Sequence, residues 1–202
     1  MQDFSMGHTS PGTIEVVCGS MFSGKTEELM RRLKRAQYAK QKIQVFKPTI
    51  DNRYSEDHVQ SHDANRIAST PVLHSKEILD QVDHNTRVVG IDEAQFFDAG
   101  IVDVAQQLAF RGLRVICAGL DMDFKGKPFG PMPTLLSVAE YVTKLNAVCV
   151  VCGKNASRSQ RVVLDAADLD EEQVKVGANE SYEARCRFCH DSSRNRPAHQ
   201  VV

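Results

Sequence analysis

Residues 19–26 read Gly-Ser-Met-Phe-Ser-Gly-Lys-Thr, and this octapeptide constrains the chain more than any other stretch. It fits G-x-x-x-x-G-K-[ST], a phosphate-binding loop that joins a strand to a helix. The flanks agree. Thr13–Cys18 (TIEVVC) is short and β-branched, as a strand buried on both faces should be. From Thr26 to about Lys40, Leu29, Met30, Leu33 and Ala36 recur at helical spacing, with Arg31, Arg32, Lys34 and Arg35 between them. Gly19 and Gly24 let the backbone curl so that the N–H groups along Ser20, Met21, Phe22 and Ser23 face an anion, and the helix amino end adds positive potential. Lys25 is then placed to reach the outer phosphates of a nucleotide, and the Thr26 hydroxyl to bind Mg2+.

The remaining pattern extends this unit into an α/β fold. Ile43–Phe46, ended by Pro48, reads as a strand, as do Arg87–Ile91 and Leu113–Gly119, while Ile101, Val104, Ala105 and Leu108 mark a helical stripe. Strands alternating with helices predict a parallel sheet with helices on both faces. Between the second and third strands, residues 48–86 are polar and carry Asp51, Arg53, His58, His62 and Asp63, which predicts a functional loop. A chain of 202 residues, 42% of them hydrophobic, can bury one good core but not two full-sized ones, so one main domain with a small appendage is expected.

The strand ending at Ile91 runs into Asp92, Glu93, Ala94 and Gln95, at the carboxyl edge where ligands of parallel sheets bind. An Asp there holds Mg2+, directly or through water, and Glu93 beside it can take a proton from whatever attacks the γ-phosphate, water or a substrate hydroxyl. The alternative is that both carboxylates cap the next helix; capping and metal binding are compatible.

From Cys149 onward the sequence changes character. Cys149-Val-Val-Cys152 and Cys186-Arg-Phe-Cys189 are two C-x-x-C units that together can close a tetrahedral zinc site of the structural kind. The insert between them exceeds the usual ~15–20 residues, so it should form a substantial loop anchored by the metal. Cys186–His190 also spells the haem-attachment signature C-x-x-C-H, which would leave the first pair unexplained, and His190 remains a substitute zinc ligand. Cys18 and Cys117 lie in apolar strands and read as buried small hydrophobes.

With 25 Lys+Arg against 26 Asp+Glu the formal net charge is −1, so no overall basic field draws the chain to nucleic acid or to a membrane surface. No stretch approaches the ~20 apolar residues of a membrane span, and the opening MQDFSMGHTSPG lacks the apolar run of a signal peptide. A soluble, cytoplasmic protein is expected.

Taken together, these residues resemble the zinc-containing thymidine kinase family. The resemblance runs over about residues 13–190 through GSMFSGKTEELMRR (19–32), FKPTIDNRY (46–54), SHD (61–63), IDEAQFF (91–97), AGLDMDFKGKPFG (118–130), KLNAVCVVC (144–152) and VGANESYEARCRFC (176–189). It implies a P-loop NTPase sheet of the RecA-like type over residues 13–145 and a small zinc-ribbon domain with a lasso loop over 146–191, between flexible tails at 1–12 and 192–202. It implies ATP on Gly19–Thr26 and on Asp92, Ala94 and Gln95, with Glu93 as the base for a 5′-hydroxyl and Asp51 and Arg53 near magnesium and the migrating phosphate.

The same resemblance implies a thymine pocket of Met21, Phe96, Leu120, Phe124 and Phe129, closed by a lasso offering Val174, Val176, Gly177 and Tyr182. Ser159 stands where the family commonly has Thr, which keeps the hydroxyl near the thymine carbonyl and drops a methyl. Thymidine and deoxyuridine as acceptors, dTTP as a feedback inhibitor and a homotetramer are further implications of the resemblance. A zinc-ribbon ATPase acting on nucleic acid or on a protein partner would share the loop, the Asp-Glu pair and the cysteines, with Glu93 activating water. A GTPase would want an N-K-x-D motif, which is not found in the sequence.

Overall fold

The computed structural model describes residues 11–49, 67–162 and 182–190. Six strands form one parallel sheet: β1 (Thr13–Gly19), β2 (Ile43–Pro48), β3 (Thr70–Val72), β4 (Val88–Ile91), β5 (Arg114–Gly119) and β6 (Tyr141–Leu145), in the spatial order β3-β2-β4-β5-β1-β6. The expected α/β class with helices on both faces is what the chain adopts. α1 (Lys25–Tyr38) covers one face; α2 (Glu77–Gln81), α3 (Ile101–Phe110) and α4 (Met132–Val138) cover the other.

Alternation along the central strands explains the two cores. Ile14, Val16 and Cys18 of β1 and Val115 and Cys117 of β5 point to the α3 side, where Ile101, Val104, Ala105 and Leu108 meet them. Val17, Ile116 and Ala118 point the other way and pack on Leu29, Leu33 and Ala36 of α1. Both faces being apolar, these strands read as continuous hydrophobic runs. Cys18 and Cys117 are buried hydrophobes as expected, with burial pushing their thiols up to about 11 and about 12.

A second unit follows the sheet. β7 (Ala147–Val148) pairs antiparallel with β8 (Asn155–Ala156), and β9 (Arg158–Arg161) pairs antiparallel with β10 (Tyr182–Arg185). Its small core consists of Ala147, Cys149, Ala156, Ala184 and Cys186. Among the described residues no helix is long and apolar enough to cross a membrane.

Candidate functional site

Because the sheet is parallel, the carboxyl ends of β1, β4, β5 and β6 lie along one edge, and the expected site residues collect there. β1 ends at Gly19, whose φ of 148° and close neighbours demand glycine: a Cβ would stand 2.4 Å from the Leu145 carbonyl oxygen. Gly24, at φ 82°, turns the chain into α1. The Ser20 hydroxyl donates to the Ala156 carbonyl (3.1 Å) and the Met21 amide donates to Ser159 Oγ (3.0 Å), so the loop is bolted to the second unit. Phe22, at the exposed tip, is held at φ 63°. Ser23 Oγ is buried without a partner among the described residues.

Lys25 Nζ donates to the Ser20 carbonyl at 2.9 Å. Burial lowers its pKa, against the opposing pull of Glu93, Asp92 and Asp121. Thr26 stands close enough to Asp92 to favour its ionised carboxylate, so the two proposed magnesium ligands are neighbours. Burial, reinforced by the neighbouring Glu93 charge, pushes the Asp92 carboxyl up to about 6, although the Glu93 amide, Lys25 and Thr26 pull it down. A hydroxyl beside a half-buried carboxylate, both hard oxygen donors, suits Mg2+.

Neither carboxylate caps a helix through its side chain. Glu93 precedes a single 3-10 turn (Ala94–Phe96) in the left-handed region, φ 51° and ψ 40°, with no side-chain cap bond, and its amide donates to Asp92 Oδ1 at 3.0 Å. Gln95, almost fully buried, bridges two elements: its Nε2 donates to Glu93 Oε2 (2.5 Å) and its Oε1 accepts from the Leu120 amide (2.9 Å). Ala94 is buried beneath the turn.

Next to this acidic turn a narrow cavity is lined by Met21, Leu120, Met122, Asp123, Phe124, Phe129, Ser159 and Tyr182. Six of the expected acceptor-pocket residues therefore meet in one place, and Phe96 joins them through an edge-to-face contact with Phe129 (5.6 Å, 87°). Met122 and Asp123 were not foreseen, because only the folding of the loop after β5 turns them inward. The Lys144–Asp121 ion pair (2.5 Å) was also missed; Lys144 sits in register with Cys18, so the pair spans β1 just below the phosphate loop. Asp51, Arg53, Val174, Val176 and Gly177 lie outside the described residues, as do 1–10 of the N-terminal tail, 163–181 of the lasso and 192–202 of the C-terminal tail.

The four cysteine sulfurs of Cys149, Cys152, Cys186 and Cys189 all lie within 4.8 Å of one another, and those of Cys152 and Cys186 are 3.7 Å apart. Zn–S bonds of ~2.3 Å give tetrahedral edges of about 3.8 Å, so the set fits zinc, and four thiolates leave no open position. Burial would raise the Cys149 thiol, yet the amides of Cys186, Val151 and Cys152 bring it down to about 6. Burial, and then hydrogen bonding to the sulfurs of Cys186, Cys152 and Cys149, push the Cys189 thiol up to about 12. Both pairs converge on one centre, so Cys186–His190 is not a free-standing haem signature, and His190 Nε2 is engaged elsewhere, with the Phe124 carbonyl at 2.8 Å.

A glycine-rich loop and an Asp-Glu pair at the carboxyl edge of a parallel sheet place the chain among the P-loop α/β proteins that handle nucleoside phosphates. Sequence comparison narrows that class. The thymidine kinase family model matches residues 12–190, and the chain belongs to that family. Membership makes it a kinase acting on thymidine.

Proposed function

We propose that the chain transfers the terminal phosphate of ATP to the 5′-hydroxyl of thymidine, and of deoxyuridine, giving the monophosphate in nucleotide salvage in the cytoplasm. The observation that carries this reading is the position of Glu93. Its carboxylate is pinned by Gln95 to the backbone of Leu120, a pocket residue, while its own amide is tied to Asp92 beside Thr26. One carboxylate thus stands between a phosphate cradle and an apolar cavity, where a general base for an acceptor hydroxyl is needed.

Gly19–Thr26, Asp92, Ala94 and Gln95 form the ATP side in this proposal, with Asp51 and Arg53 joining from outside the described residues. Lys25 leaves the Ser20 carbonyl for the outer phosphates. Mg2+, held by Thr26 and Asp92, would offset charge on those phosphates. Met21, Phe96, Leu120, Phe124 and Phe129 enclose the base. Ser159 Oγ already accepts from the Met21 amide, which leaves its hydrogen to donate to a base carbonyl. Tyr182, Val174, Val176 and Gly177 close the pocket from the lasso, which structural zinc on Cys149, Cys152, Cys186 and Cys189 anchors.

Bond making asks little of the side chains in such a transfer; alignment, charge stabilisation and exclusion of water supply the rate. Feedback inhibition by dTTP and assembly as a homotetramer complete the proposal. One assay tests it: ADP formation from ATP with thymidine, with single-stranded DNA, and with neither. Thymidine-dependent release is expected. DNA-dependent release, or release with neither, would favour an ATPase in which Glu93 activates water.

A further inference from the structure

The loop after β5 is a small rigid hairpin, and its attachment lies on the cysteine unit. Met122 and Pro128 form an antiparallel bridge, the Asp123 amide donates to the Lys127 carbonyl (2.9 Å), and the Gly126 amide donates to the Asp123 carbonyl (2.9 Å). Asp123 Oδ1 accepts from the amides of both Lys125 and Lys127, each at 2.9 Å, and the residue is almost fully buried. A hairpin so completely bonded within itself moves as one body, and it carries Met122, Asp123 and Phe124 into the cavity.

What orients that body is found at its tip. The Phe124 carbonyl faces His190 Nε2 at 2.8 Å, and since a carbonyl only accepts, Nε2 carries the proton. Gly126, at φ 73°, lies so close that a Cβ there would stand 2.3 Å from Arg158 Nη1 and 3.6 Å from His190 Cε1. His190 is itself fixed, because its amide donates to the Cys186 carbonyl (3.0 Å), one residue beyond Cys189.

We propose that His190 is a positioning residue for the nucleoside: its ring locks the Phe124 hairpin onto the cysteine centre and so sets the shape of the base pocket. The cysteine centre then orders the pocket by a route separate from the lasso. This inference rests on the reading that the nucleoside occupies that cavity.

The test compares His190→Ala with His190→Gln, whose amide nitrogen falls near the place of Nε2 and can donate to the same carbonyl. Thymidine Kd by calorimetry, KM for thymidine and for ATP, kcat and zinc content are measured for each. For His190→Ala, thymidine Kd and KM are expected to rise about tenfold, the scale of one lost hydrogen bond, with ATP KM, kcat and zinc content within about twofold of wild type on the same principle. His190→Gln should restore thymidine affinity.

Gly126→Val crowds Arg158 Nη1 and the His190 ring while leaving all four cysteines in place, so it displaces the hairpin tip and should reproduce the thymidine-specific loss. Unchanged thymidine affinity in His190→Ala, a loss of zinc that parallels the loss of affinity, or a Gln variant as weak as the Ala variant would each overturn the role. A wild-type chain that does not bind thymidine overturns the functional reading itself. One that binds it as well as its His190→Ala variant overturns only the positioning.

Discussion

Glu93 is one of three non-glycine residues with positive φ among the described residues, and Phe22 in the phosphate loop is another. Holding a residue with a Cβ in that region costs on the order of 1–3 kcal/mol, and such strain collects where surroundings fix it for function. The fixing bonds are visible in Gln95 Nε2 and Asp92 Oδ1. Glu93→Gln removes the base while keeping shape, so ATP and thymidine affinity should hold while kcat falls about 100-fold or more; steady-state kinetics beside calorimetric ATP binding checks this. Gln95→Leu frees the carboxylate from Leu120 and should lower kcat by about tenfold. Combined with Glu93→Gln it should add little, since both act through one group. The loop, the acidic pair and the cysteines were legible because their chemistry demands fixed spacing. The inward turn of Asp123, the reach of Lys144 to Asp121 and the His190 contact were not, because each joins residues that only tertiary folding brings together.

Elements show the same division. β1, α1, β4, α3 and β5 follow from apolar periodicity, with ends within about two residues of expectation. β6 (YVTKL) was not read as a strand because it is the sheet's outer strand, with Tyr141 and Val142 exposed, so no buried alternation marks it. β9 (RSQR) and β10 (YEAR) carry polar sequence whose pairing the cysteine turns enforce rather than hydrophobic pattern. At the other end of β1 from the site, Glu15 ties three elements together: it accepts from Arg114 of β5 (2.5 Å) and from Arg32 of α1 (2.7 Å), which also reaches Thr143 of β6 (2.9 Å). Burial alone would raise its pKa, but the bonds and charges of Arg114 and Arg32 outweigh that and hold it below 4.5. A carboxylate depressed in the folded state adds stability above the unfolded pKa, and that stability is lost as pH falls through the folded value. Glu15→Ala should therefore cost about 3 kcal/mol near neutral pH, the low end for a broken buried pair, because Arg32 keeps Glu28 and Thr143. The gap between variant and wild-type melting temperatures should narrow as pH drops below 4.5, where the wild-type carboxylate begins to protonate.

At the scale of the whole molecule, stability is divided unevenly. The sheet has two aliphatic cores, while the cysteine unit has only three alanines and two cysteines buried together. So few small side chains cannot offset the chain entropy of ordering four short strands, whereas binding of a structural zinc contributes of order 10 kcal/mol. Chelating the metal should accordingly unfold residues 146–190 and spare the sheet. Far-UV circular dichroism should keep most of its helical signal, and limited proteolysis should cut within the cysteine unit and not within β1–β5. The phosphate loop loses its ties to Ala156 and Ser159 in that state, and the hairpin loses His190, but Lys25, Thr26 and Asp92 stay on the sheet. Thymidine affinity should then fall steeply while ATP affinity falls little, and re-addition of zinc should restore both. Equal loss of the two affinities would mean that the loop depends on the cysteine unit for its own shape. An unchanged thymidine KM in metal-free protein would mean that neither the lasso nor the hairpin is held by the thiolates at all.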